Sequence, residues 1–326
     1  METVFVVNPK AGQGKDAEKL IKSIRAASEK LKRKVEIYVT KGVGDAEVFV
    51  RDWCKRVGAA RFIACGGDGT LGEVLNGAIG SEGTEIGIMP MGTGNDFCRN
   101  FDGIGDFMDP EAQITGKCQK CDAIRYITEV DSNLNTKYCA NMFNIGFDCN
   151  VADMTSTMKK KPFISGSLAY FISILVMLIK KKGANLEIEI DGRKKHSGPL
   201  LLSAVSNGKF CGGGIKSNPL GLVNDGLMDI NIVYNISRLN FLTKLPFYMK
   251  GTHIKLKNIQ DVIFSTKCKR IMIKPRGGMM RLCVDGEITD AGETIFEIEH
   301  NAFDFVLPIK TSNIRGEERS MVHSAK

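Results

Sequence analysis

The chain has 326 residues, enough for two domains with packed cores, and its 43% hydrophobic and 25% charged residues are the composition of a globular protein. The net charge of +8 is modest, but nine basic residues against three acidic ones fall between 159 and 195. That local excess suits an anionic lipid surface, and the lack of aromatic residues interleaved with the basic ones excludes the pattern of a nucleic-acid binder. Ten cysteines follow no framework spacing and β-type residues begin at Thr3 where a leader would lie, so the expectation is a cytosolic protein with reduced thiols.

Residues 3–7 form a short apolar run rich in β-branched side chains, which reads as a buried parallel strand. The loop Asn8-Pro9-Lys10-Ala11-Gly12 follows, and a helical pattern runs from Ala17 to Leu31. A second strand at 35–40, ending in Thr40, and a helix at 43–57 come next. The third strand at 61–64 runs into Cys65-Gly66-Gly67-Asp68-Gly69-Thr70-Leu71-Gly72, then into another helical pattern. A fourth strand at 85–90 leads to Gly92-Thr93-Gly94-Asn95-Asp96-Phe97.

A strand that breaks into glycines and then a helix brings backbone amides and a helix N-terminus to one place, which is the geometry of a phosphate cradle. Asp68 is the anomaly, because a carboxylate repels bare phosphate. It makes sense beside a metal ion, or as a group that accepts a proton or a sugar hydroxyl. Gly67, Gly69 and Gly72 also satisfy the dinucleotide fingerprint, but after the third strand and with an acid inside the loop. Alternating strands and helices imply an open parallel sheet, whose ligands lie at the carboxyl ends of the strands. The three glycine loops share that edge, an arrangement that suits a nucleoside triphosphate.

Beyond residue 119 short β-like runs dominate, at 123–130, 138–144, 186–190, 200–207, 228–233, 262–265, 270–273, 280–284 and 294–299. Helices are expected near 167–182 and 238–250, and a last strand at 303–309. This is an antiparallel sandwich or barrel. The uncharged stretch 163–179 is at the lower length limit for a span and is read as a helix buried in the second domain or resting on a membrane surface. Asn224-Asp225-Gly226 and Asp285-Gly286 are turn signals, and Asp285 with Glu287 makes a carboxylate pair able to hold a metal or take a proton.

With Asn8-Pro9, Gly66-Gly67-Asp68-Gly69-Thr70, Glu73, Gly92-Thr93-Gly94-Asn95-Asp96-Phe97, Arg99, Gly212-Gly213-Gly214, Asn224-Asp225-Gly226 and Asp285-Gly286-Glu287, the chain resembles the diacylglycerol kinase catalytic family of lipid kinases over nearly its full length. The resemblance implies a fold of class α/β plus β. A Rossmann-like nucleotide-binding domain at 1–119, to which 303–326 returns, would face an antiparallel β-sandwich lipid-binding domain at 120–302 across a cleft. It implies that Asn8, Pro9, Lys10, Ala11, Gly12, Thr40, Gly66, Gly67, Asp68, Gly69, Thr70, Leu71, Gly72 and Thr93 contact ATP. Asp68 and Asp96 would organise phosphates and catalytic Mg²⁺. Glu287 would be the general base, with Asp68 the alternative. A structural Mg²⁺ would be held by the Leu222 and Leu227 carbonyls and the Asp225 carboxylate, with Asp122 nearby. The implied partners are a lipid alcohol, diacylglycerol first, and the anionic inner face of a membrane, with a homodimer left open. Two rival readings are phosphorylation of NAD, since NAD kinases share the glycine-Asp-glycine loop, and a catalytically silent nucleotide- or lipid-binding protein.

Overall fold

Five short apolar runs in the first third and at the far end of the chain can bury both faces only between helices, and they assemble into one parallel sheet. The computed structural model describes residues 1–14, 17–102, 104–130, 133–147 and 183–308. The apolar stretch 163–179, its lysine triplets, the helix expected near 167–182 and the tail from 311 lie outside the described residues. By contacts the chain divides into two compact units, one of Met1–Cys121 with the stretch from Asn301 onward, the other Asp122–His300.

In the first unit β1 (Glu2–Val7) lies between β2 (Val35–Val39) and β3 (Ala60–Gly66), and β4 (Glu85–Pro90) pairs with β3. All these pairings are parallel. The end of β16 (Thr294–Leu307) adds a fifth parallel strand, with Phe305 opposite Ile86. Helix α1 (Ala17–Leu31) buries Leu20, Ile24 and Ala27, spaced on one face, against Phe5, Val7, Ile63 and Met89. Helices α2 (Asp45–Arg56) and α3 (Asp68–Ala78) touch almost at backbone level. A Cβ on Gly77 would lie 2.6 Å from the Glu47 carbonyl and 2.8 Å from the Val50 Cβ, so only glycine fits. One short helix, α4 (Pro110–Thr115), escapes sequence periodicity because it is less than two turns long. Its N-terminus is capped by Asp109, and the Arg61 guanidinium donates to the Gln113, Ile114 and Gly116 carbonyls at its C-terminus.

In the second unit the strands pair antiparallel among the described residues. Strands β5 (Lys117–Val130), β6 (Asn133–Cys139), β8 (Ala184–Ile190), β9 (Arg193–Leu200) and β13 (Arg270–Pro275) join the first half of β16. A separate six-stranded sheet runs in the order β12 (Ile263–Cys268), β11 (Met228–Val233), β10 (Leu202–Ser206), β7 (Met142–Gly146), β14 (Met280–Val284) and β15 (Glu287–Ala291). Alternate residues such as Leu186, Ile188, Ile190, Ile230, Ile232, Ile271, Ile273 and Phe296 form the shared core. Helix α5 (Arg238–Met249), with Ser237 as N-cap, packs through Phe241 onto Phe147, Val233 and Val262.

Three sequence expectations are corrected. The run 138–144 is two strands, β6 ending at Cys139 and β7 beginning at Met142 in the other sheet. The run 200–207 is likewise divided at Leu201 between β9 and β10. Conversely, 294–299 and 303–307 belong to one strand, β16, which passes through Asn301 at a φ of 54° without ending.

Candidate active site

From β1 the chain moves to one side of the sheet to form β2 and then to the other to form β3, so the topological switch point lies between β1 and β3. The loops that follow these two strands meet there. Asn8 Nδ2 donates to Thr70 Oγ1 at 3.2 Å, and Asn8 Oδ1 accepts the Lys10 amide at 3.0 Å. The Ala11 amide donates back to the Asn8 carbonyl at 3.1 Å, and Gly12 turns the chain with a φ of 61°. Thr40, buried at the end of β2, donates its amide to the Val7 carbonyl at 2.9 Å. Asn8, Pro9, Lys10, Ala11, Gly12, Thr40 and the 66–72 loop thus share one sheet edge.

The third loop, after β4, is locked to the second. The Met91 amide donates to the Gly66 carbonyl at 2.8 Å. A Cβ on Gly92 would lie 2.5 Å from the Gly67 Cα, so the two backbones touch where neither residue has room for a side chain. Asn95, at a φ of 53°, folds its side chain over the loop: Oδ1 accepts the Gly92 amide and Nδ2 donates to the Gly92 carbonyl at 2.7 Å. Thr93 is left exposed at the rim. Glu73, part of the motif, has a supporting role, since its carboxylate accepts the Gly44 and Ala46 amides and so caps α2.

Asp68 opens α3 behind Gly67, and its Oδ1 accepts the Asp96 amide at 2.9 Å and the Phe97 amide at 3.3 Å. Its other oxygen faces Gly94, where a Cβ would lie 2.8 Å from Asp68 Oδ2 and 3.3 Å from Asp96 Oδ2. Two carboxylates therefore crowd one glycine. Burial, and then the charge of Asp96, push the Asp68 carboxyl up to about 6 against the pull of the backbone amides. The Arg99 guanidinium lies 3.7 Å from Asp96 and donates to the Gly94 carbonyl. Two hard carboxylates held together against their mutual repulsion, at the start of a helix that follows a glycine loop, suit magnesium, which takes one or two carboxylates and fills its other positions with phosphate and water. Asp68 and Asp96 therefore fit that ion.

Glu287 begins β15 in the second unit and is exposed. Asp285, the other carboxylate of the expected pair, is anchored within its own unit. Its Oδ1 accepts the Met142 amide at 2.8 Å, its Oδ2 accepts the Cys139 thiol at 3.1 Å, and a φ of 45° commits it to the hairpin turn. Asp225 Oδ1 accepts the Leu227 amide at 3.1 Å, and its Oδ2 lies 2.9 Å from Lys267 Nζ, which also reaches Asp229 at 3.1 Å. Fully buried Asp122 accepts the Gly226 amide at 2.7 Å and meets His300 Nδ1 at 2.8 Å. The Leu222 and Leu227 carbonyls and the Asp225 carboxylate are hard oxygens of the kind magnesium takes, and an ion held by them would share Asp225 with Lys267. The parts that sequence reasoning missed, Asn95 as the clasp and Lys267 as an internal cation, are separated from their partners by fold rather than by motif.

Residues 2–126 match the diacylglycerol kinase catalytic domain, and residues 141–306 match the YegS C-terminal NAD kinase beta sandwich-like domain. The chain belongs to the diacylglycerol kinase catalytic-domain family of lipid kinases. It is 33% identical to the probable lipid kinase YegS of Escherichia fergusonii over 71% of this chain and 73% of that protein. For the probable lipid kinase YegS of Shigella flexneri the identity is again 33%, over 61% of this chain and 64%, just under two thirds, of that relative. The fold matches the crystal structure of a diacylglycerol kinase from Bacillus anthracis with a TM-score of 0.64 at 21% identity, covering 94% of this chain and 96% of that one. A Rossmann-like first domain and an antiparallel second domain are thus the family's architecture. Among the described residues, no helix is long and apolar enough to cross a membrane.

Proposed function

We propose that the protein transfers the γ-phosphoryl group of ATP to the hydroxyl of a lipid alcohol, with diacylglycerol the first candidate and phosphatidic acid its product. The observation that carries the reading is the paired carboxylate cradle, in which Asp68 and Asp96 share Gly94 beside loops joined backbone to backbone. Phosphoryl transfer needs alignment and charge neutralisation more than a protein nucleophile, and this arrangement offers both.

In this reading Asn8, Pro9, Lys10, Ala11, Gly12, Thr40, Gly66 to Gly72 and Thr93 hold ATP, their amides receiving phosphate oxygens. Asp68 and Asp96 hold Mg²⁺, which neutralises charge on the transferring phosphoryl group when bound. Arg99 keeps the Gly94 carbonyl and Asp96 in place. Glu287 takes the proton from the acceptor hydroxyl as that oxygen attacks phosphorus, and the β–γ bridge oxygen leaves with ADP. Leu222, Asp225 and Leu227 hold a second, structural Mg²⁺. The substrate is drawn from the cytoplasmic face of a membrane, where the enzyme binds peripherally.

The test is radiolabelled ATP and Mg²⁺ with mixed micelles of lipid alcohols, run beside NAD and beside Glu287→Gln. Label in diacylglycerol with the wild type and at least ~100-fold less with the variant is the expected result. Label in NAD, or ATP binding with no labelled acceptor in a broad lipid panel, overturns it. Near-normal turnover in Glu287→Gln, with none in Asp68→Asn, would move the base to Asp68.

A further inference from the structure

Helix α5 carries apolar residues on two faces, and among the described residues only one of them is covered. Phe241 and Leu245 turn inward to Phe147, Val233 and Val262, and the Phe241 and Phe147 rings meet at 4.9 Å. Leu239, Leu242, Pro246 and Met249 repeat at helical spacing on the outer side, and Leu239 is 73% exposed. Phe247 and, beyond the helix, Ile254 extend the exposed apolar surface. A second apolar strip left open on a helix belongs against another protein surface or against an apolar phase. Its sequence setting decides between the two: from 235 to 260 there are five basic residues, Arg238, Lys244, Lys250, Lys255 and Lys257, and no acidic one. Lys250, Lys255 and Lys257 are all exposed beside the apolar strip.

We propose that the outer face of α5 with the 250–257 segment is a docking surface for an anionic lipid bilayer. Leucines, a phenylalanine and a methionine enter the headgroup boundary while the lysines meet lipid phosphates. In sequence this segment is distinct from the basic run at 159–195. The docking surface rests on the lipid-kinase reading only for why the protein would need a membrane, because the face and its charge are properties of the folded chain.

The test uses the full chain without ATP, sedimented with sucrose-loaded vesicles of phosphatidylcholine with and without phosphatidylglycerol. The wild type is expected to pellet with the anionic vesicles and to be released by salt. Leu239→Gln/Leu242→Gln/Met249→Gln should weaken partitioning by at least ~10-fold, and Lys250→Glu/Lys255→Glu/Lys257→Glu by at least ~100-fold. All these positions are exposed, so unchanged thermal melting is expected of both variants. Three outcomes overturn the proposal. The wild type fails to bind anionic vesicles; both variants bind like the wild type, for instance because 163–179 carries the binding; or the wild type is a dimer that the glutamine variant makes monomeric, which would give the face to a second copy. Phosphorylation of detergent-dispersed short-chain diacylglycerol, measured alongside, separates the two readings: binding without any lipid phosphorylation would sink the kinase reading and leave the surface standing.

Discussion

The protein holds two clusters of acidic side chains at glycine-bearing loops, and they are neutralised in opposite ways. At the sheet edge of the first unit, Asp68 is held by the Asp96 and Phe97 amides and pressed by the Asp96 charge, which with burial raises its carboxyl to about 6. In the second unit, Asp225 and Asp229 converge on one ammonium, that of Lys267. Burial lowers the Lys267 pKa, but its hydrogen bonds and the charges of both carboxylates outweigh burial and raise it. In the first cluster the nearby cation, Arg99, lies 3.7 Å from Asp96, and Asp68 keeps the repulsion that raises its carboxyl; in the second, one ammonium lies within 3.1 Å of both carboxylates. Stored repulsion of this kind belongs to sites that bind and react, and satisfied pairing to sites that hold a fold together.

Asp68→Asn tests this contrast most severely. Asparagine keeps an oxygen for the two amides and removes the charge facing Asp96, so stability and activity should move in opposite directions. Turnover should fall by at least ~1000-fold while the melting temperature at neutral pH rises by about 2–5 °C. A variant that melts lower than the wild type would show that Asp68 is a structural anchor and not a strained ligand. The same repulsion fixes a pH dependence. Because the folded Asp68 holds its proton up to about pH 6 and the unfolded chain only to 3.8, its contribution to stability falls as pH rises between those values. Saturating Mg²⁺ should flatten that fall in thermal melts from pH 4 to 7, and Asp68→Asn should remove it.

Gly92→Ala probes the junction itself. The added Cβ meets Gly67 Cα at 2.5 Å, backbone against backbone, with no flexible side chain to yield. A loss of about 1–3 kcal/mol in urea unfolding is expected, with nucleotide affinity lost at the same time. Gly72→Ala, whose Cβ meets nothing within 4 Å, is the matched control and should cost far less.

The sequence exposes the first unit more completely than the second, for a physical reason. Parallel strands buried on both faces are unbroken apolar runs, and each glycine loop that follows marks its own strand end. Antiparallel strands give weaker boundaries. Between Cys139 and Met142 the chain changes sheets through Ala140 and Asn141, without a glycine or proline to mark it, whereas the polar Glu299-His300-Asn301 looks like a turn and is not one. The site is legible to the same degree. Asp68 and Asp96 stand out as acids in glycine loops, but that Asp68 accepts amides from a loop 28 residues on depends on β3 and β4 being neighbours. Asp285 and Glu287 stand out as neighbouring acids, but that the first also binds Met142 and Cys139 depends on the hairpin lying beside β7.

Lys267→Met addresses the second cluster, with a smaller effect. Methionine fills much of the same space but leaves Asp225 and Asp229 facing each other without their shared ammonium. Lys267 is about one third exposed, so solvent screens part of the loss and the cost at neutral pH should be about 1–2 kcal/mol. Because the Lys267 pKa is raised, its stabilisation is present in full below the ordinary lysine value of 10.5 and is lost only as pH climbs past its folded value, so the variant should look worst near neutrality and converge on the wild type in strong alkali. Mg²⁺ gives the deciding measurement. In the wild type the ammonium competes for Asp225, whereas in the variant the carboxylates are open to a divalent ion, so millimolar Mg²⁺ should raise the melting temperature of Lys267→Met by more than that of the wild type. If Mg²⁺ stabilises the wild type as strongly, the lysine does not keep the ion from Asp225, and the contrast drawn between the two clusters fails.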